Sequence, residues 1–309
     1  MNMEINRHLF AAYLGMIKSG YDLMDMNDPI VIFVCNQLAS LEFDSEILDY
    51  FQYAKTNRIR VNPYYPRGSD LSAACFFLQH PFEEYIAFLR GCESLDTDDP
   101  QFLAWIQKLP DILQQIENHV AFPPLWYDYE DMVTNRFSTT DKQIAHLNQY
   151  LSASSFASDT RIVFAPHLLQ SKFLADFALV RQTLYVITGN FSISSAIHEY
   201  LHTALKPHRP QLAEILRRIP LSSFVDMDAM RALGYLHGDS AEHLGHTLEE
   251  CLVRSITGIL DEASNTERYR SMNHESGFIS VSTMMERLAS LPWSSMTLPD
   301  IIEQITSFI

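Results

Sequence analysis

Five residues in one stretch carry the strongest chemical signal in this chain: His198-Glu199-Tyr200-Leu201-His202 spells HExxH. On a helix, positions i and i+4 project side by side, so two imidazoles can grip one zinc ion. The glutamate one residue after the first histidine points beside them, within reach of a water on the metal. Zinc draws the pKa of such a water toward neutrality, and the carboxylate takes its proton. With His198 at zero and about 100° per residue, His202 falls near 40° and Glu199 near 100°. Ile193, Ile197, Leu201, Ala204 and Leu205 fall between about 220° and 340°. The helix thus turns one stripe to the core and its His/Glu face elsewhere, unlike a helix whose histidines merely fill the core.

A catalytic zinc needs a third protein ligand and one open position. His208 stands at the metzincin spacing, HExxHxxGxxH, but Leu205 occupies the glycine position and Pro207 restricts the turn. The other candidates are Glu249 and Glu250, on a helix read from about Thr247 to Leu260. Glu249 lies inside that helix's apolar arc, where a carboxylate needs a partner or a metal. Glu250 lies outside the arc, with Arg254 one turn later to orient it. Both stay open on this reading, Glu250 ahead of Glu249. Tyr235, His237, His243, His246 and His274 are candidates for stabilising an oxyanion.

The segments IHEYLHTALKP (197–207), EECLVRSI (249–256) and ESGFISV (275–281) resemble a bacterial group of HExxH proteins related to the gluzincin, thermolysin-like metallopeptidases. The Tyr50-Phe51 pair and the basic-aromatic stretch to Tyr65 are similar too. The resemblance implies a zincin-like fold and peptidase activity. By its register His198, His202 and Glu250 are the zinc ligands and Glu199 is the base.

The elements that must position these residues follow from pattern and punctuation. Before the motif, Arg161 to Ala165 and Thr183 to Thr188 read as strands. The second strand is a candidate to pair with an extended peptide, unless it lies inside its sheet. The motif helix runs from Ile193 to Leu205, Pro207 stops it, and Lys206 is expected to be extended. Two short helices are expected at the C-terminal end. The first 150 residues read as mostly helical: Leu9–Met24, Glu46–Lys55, Ser72–Gly91 and Pro100–His119 carry apolar residues at helical spacing. Ile30 to Val34 reads as a strand or a buried helix start. Pro123 and Pro124 are expected to end a helix, with Trp126, Tyr127 and Tyr129 forming a packed hinge or lining a cleft. Leu9 to Ile17 reads as a first amphipathic helix rather than a secretion signal, because Glu4, Tyr13 and Lys18 fall in the wrong places. Ser152 to Ser158 is the candidate boundary, giving a helical lobe over 1–155 and a zincin-like lobe over 156–309.

Composition sets the outer limits. With 309 residues, 47% hydrophobic and 19% charged, the chain is an ordinary globular one. A net charge of −16 with no basic run argues against wrapping nucleic acid. No apolar run approaches the roughly 18 residues of a membrane span. Four cysteines without a CxxC pair read as reduced thiols, which points to the cytoplasm. The expected fold is α+β and predominantly helical, with a small sheet beside the HExxH helix. The expected function is zinc-dependent hydrolysis of a peptide or protein substrate. Two alternatives stand beside it: an interaction protein with a closed or degenerate zinc site, and a zinc amidohydrolase acting on a non-peptide substrate.

Overall fold

The computed structural model describes residues 2–56, 68–91, 97–152, 158–171, 175–232, 241–261, 266–292 and 296–305. The chain is α+β and predominantly helical, with one three-stranded sheet among the described residues. It packs as two compact units: Met1–Ala145 with Arg161–Phe191, and His146–Thr160 with Ser192–Ile309.

The first unit holds α1 (Arg7–Lys18), α2 (Pro29–Leu38), α3 (Ser45–Thr56), α4 (Gly68–Ala74), α5 (Phe82–Gly91), α6 (Pro100–Ile106), α7 (Leu109–Glu117) and α8 (Phe122–Arg136). The sheet belongs to it: β1 (Arg161–Pro166), β2 (Ala175–Val180) and β3 (Thr183–Thr188). The division falls inside α9 (Thr140–Ser152) and again after β3, whereas the sequence suggests one break near 155. Residues 153–157 of the expected boundary lie outside the described residues.

Helix α1 is the centre of this unit. Leu9 through Met16 are all buried, and the Asn6 side chain caps the helix by accepting from the Leu9 amide. Phe10 packs on Tyr129 at 4.3 Å and on Trp126 at 5.5 Å between ring centres. The aromatic cluster is therefore core, apart from Tyr127, which faces solvent. Its two prolines begin α8 instead of ending a helix, because the first helical turn has no use for their missing N–H groups. The same logic settles Ile30 to Val34: Asp28 caps α2 through the Ile30 amide and Pro29 stands at its first position. Two stretches that read as single helices are each split, the first by the turn between α4 and α5, the second between α6 and α7 just ahead of Pro110. Helices α1 and α3 approach closely at Gly15, where a Cβ would sit 2.1 Å from the Phe51 ring.

Strand β3 is central, parallel to β1 and antiparallel to β2. Both its edges are paired, so it offers no edge to a peptide, and the expectation that it might is corrected. Strand β2 has no counterpart in the sequence reading. Its inward face carries Asp176, Ala178 and Val180, and the buried carboxylate accepts from Ser69 at 2.6 Å and from Gln170 at 2.7 Å. Just past β1, His167 is 1% exposed, and its ring meets Tyr13 edge-on at 4.1 Å.

The second unit holds α10 (Ile193–Leu205), α11 (Arg209–Leu216), α12 (Met227–Ala232), α13 (Ala241–Leu260), α14 (Glu267–Glu275), α15 (Val281–Ala289) and α16 (Leu298–Ile305). Among the described residues three helices follow α13, against the two expected. Helix α13 is the axis: α10, α11 and α15 all pack against it. Between α10 and α11, Lys206–His208 forms a 3-10 turn. Lys206 keeps helical angles (φ −48°, ψ −44°), against the extended conformation expected before Pro207. The proline occupies the start of a new helical segment, where its missing N–H breaks no bond. None of the described helices is long and apolar enough to cross a membrane.

Candidate metal centre

The HExxH residues sit on α10, whose first turn is capped by Ser192 accepting from the Ser195 amide at 3.2 Å. Ala196, Ile197, Tyr200, Leu201, Ala204 and Leu205 are buried. His198 and His202 keep 22% of their side-chain surface exposed. They stand one turn apart on the same face, as the spacing requires.

Helix α13 brings Glu250 to this pair. His198 Nε2 and His202 Nε2 are 3.2 Å apart. Glu250 Oε2 is 3.1 Å from His202 Nε2 and 3.6 Å from His198 Nε2. The other oxygen of Glu250 is committed elsewhere: Oε1 accepts from Arg254 Nε at 2.6 Å, and Arg254 Nη1 donates to Asn273 Oδ1 at 2.9 Å. The Arg254 guanidinium also lies 4.1 Å over the Phe278 ring. That ring is aimed by the end of α14, where Gly277 takes φ +88° and the Phe278 amide reaches back to the Asn273 carbonyl at 2.9 Å.

Glu249, the neighbouring residue, is fully buried and accepts from the other nitrogen of His202, with Nδ1 to Oε1 at 2.8 Å. Arg209, at the start of α11, grips it through Nε at 2.5 Å from Oε2 and Nη2 at 3.2 Å from Oε1. The two consecutive glutamates thus divide one histidine between them.

Three carboxylates (Glu199, Glu249, Glu250) face two guanidiniums (Arg209, Arg254), and the remaining negative charge is what a proton on His202 or a bound cation offsets. Burial works against ionising Glu250, but Arg254 and then the histidines outweigh it and hold its carboxyl well below the usual range. Burial also works against a proton on His202, yet hydrogen bonds to Glu249 and Glu250 outweigh it and raise its pKa to about 10. Glu199 goes the other way: desolvation lifts its carboxyl above the ordinary value, with His198 and His202 opposing. A raised carboxylate pKa makes a better proton acceptor near neutral pH.

The donor set fits a metal. Zinc bonds of about 2.0–2.1 Å in a tetrahedron put neighbouring donor atoms about 3.3–3.4 Å apart. The three separations here, 3.2, 3.1 and 3.6 Å, bracket that value. Two nitrogens and one oxygen would supply three ligands, the number a catalytic zinc takes from its protein. His208, in the 3-10 turn, is not part of this group, and Arg209 beside it reaches Glu249 instead. Among the oxyanion candidates, Tyr235 and His237 lie outside the described residues, as does the His243 side chain. His246 is half-buried on α13, and His274 is exposed in the last turn of α14.

Comparison with protein-family models, curated proteins and solved structures gives no match. The reading of the centre therefore stands on its own geometry.

Proposed function

We propose that the second unit is a zinc-dependent hydrolase acting on peptide bonds, of the gluzincin type, with His198, His202 and Glu250 as metal ligands. The triangle of ligand atoms with edges of 3.1 to 3.6 Å is the observation that supports this reading. When bound, zinc acidifies a water and polarises the scissile carbonyl. Glu199 accepts the proton of the attacking water and hands it to the leaving nitrogen. Its desolvated, raised carboxyl suits both halves of that task. Arg254 keeps Oε1 of Glu250 occupied, so that Oε2 alone faces the histidines. The proposed substrate is a peptide or protein. The free thiols of Cys35, Cys75 and Cys251 fit the proposed cytoplasmic location.

The test is the metal content of protein purified without chelator, followed by a peptide-library screen. The expected result is about one zinc per chain, lost in Glu250→Ala and kept in His208→Ala, with hydrolysis following the metal. A wild-type chain that takes up no zinc on reconstitution overturns the reading.

A further inference from the structure

Glu249 has no place among the ligands, yet it is the most completely buried carboxylate of the centre, with none of its surface exposed. A carboxylate so placed is costly unless its oxygens are matched. Both are matched, one by His202 and both by the fork of Arg209. The arrangement has a direct consequence for His202. An imidazole that offers Nε2 as a lone pair must carry its hydrogen on Nδ1, and that N–H needs an acceptor. Glu249 Oε1 stands 2.8 Å from it. An unfixed acceptor would leave the ring free to turn. Here the acceptor is pinned from α11 by Arg209 and from its own backbone on α13, so the ring is held from a third helix.

We infer that Glu249, clamped by Arg209, is a positioning residue for the metal centre: it fixes His202 in its Nδ1–H form and aims Nε2 at the ion. This inference rests on the metal-centre reading above. The neighbouring glutamates then have separate tasks, one holding the ion and one holding a ligand of the ion. Arg209 follows directly on His208, so the turn that fails to deliver a third histidine delivers the counter-charge for Glu249 instead. Outer partners of this kind are worth about ten- to a hundredfold in metal affinity.

The experiment measures zinc affinity by competition with a chromophoric chelator for wild type, Glu249→Ala, Glu249→Gln and Glu250→Ala. Long-range proton–nitrogen NMR of the zinc-loaded proteins reports which His202 nitrogen carries the hydrogen. Wild type should show hydrogen on Nδ1 and metal on Nε2. Glu249→Ala should bind zinc about ten- to a hundredfold more weakly and lose the sharp Nδ1–H signal. Glu249→Gln, whose amide oxygen still accepts, should fall between the two, and being isosteric it carries the test if the alanine variant does not fold. Unchanged affinity and an unchanged His202 signal in both Glu249 variants, with zinc lost only in Glu250→Ala, overturn the inference and leave the metal centre standing. Absence of zinc from the wild type overturns both.

Discussion

His167 should make the first unit sensitive to mild acid. Its ring is 1% exposed, its Nε2 meets no hydrogen-bond partner among the described residues, and burial lowers its pKa to about 3. In the unfolded chain the same group titrates near 6.5. Below about pH 6.5 the unfolded chain takes up a proton that the folded chain refuses, so stability falls as pH falls, down to the folded value near 3; above 6.5 the group contributes no slope. The slope is about 1.4 kcal/mol per pH unit, which makes roughly 3 kcal/mol between pH 6.5 and 4.5. The perturbation is His167→Phe, a ring of similar shape that does not titrate and sacrifices no bond at Nε2. Urea unfolding followed by tryptophan emission suits the question, because Trp105 and Trp126 are both buried in this unit. Any constant offset from the ring exchange cancels when each protein is compared with itself at pH 7.5. The variant should lose about 3 kcal/mol less than wild type on going to pH 4.5. Parallel curves for the two proteins would refute the assignment of a buried neutral histidine.

Replacing Gly15 by Ala should destabilise the same unit by about 1–3 kcal/mol, since the added methyl overlaps one edge of the Phe51 ring and either the ring or α1 must shift; an unchanged urea midpoint would show that the helices do not approach this closely. Glu199→Gln should retain zinc but lose hydrolysis by at least about a hundredfold, and peptide turnover at the wild-type rate would remove Glu199 from the role of base. Burial works against the charge of Glu117, but His8 and Arg7 outweigh it and hold its carboxyl below the ordinary 4.5. Its contribution is therefore complete above 4.5 and is lost as pH falls through the folded value, so Glu117→Gln should flatten the acid limb of stability below about pH 5, measured by the same titration.

The site was readable to the extent that one helix determines it. His198, Glu199 and His202 share a face because the helical repeat places them there, and no neighbour is needed to see it. The choice between Glu249 and Glu250 depended on partners that sequence does not display. The wheel for α13 placed Glu249 in the apolar arc and Glu250 outside it, and both inferences hold a physical truth: Glu249 is buried and satisfied, Glu250 faces the histidines. What supplies the satisfaction is Arg209, on a helix whose approach no local pattern announces. The fold shows the same limit. The strands β1 and β3 declare themselves by β-branched residues, whereas β2 hides because its inward position 176 is an aspartate matched by Ser69 and Gln170. Prolines mark an interruption but not its direction, so Pro123 and Pro124 read as an end in the sequence and form a beginning in the fold.

The three proposed ligand atoms come from α10 and α13, with nearly fifty residues of chain between His202 and Glu250. A covalent link across a loop of about 50 residues would be worth about 4 kcal/mol against the unfolded chain. On the proposed reading, the metal is a link that can be withdrawn. Its contribution follows supply, about 2.7 kcal/mol when free zinc is a hundred times the dissociation constant and almost nothing when zinc is scarce. Scarcity would then cost the cell more than turnover: the chain itself would become perishable, open to proteases between α10 and α13, and the amount of protein would track the amount of metal.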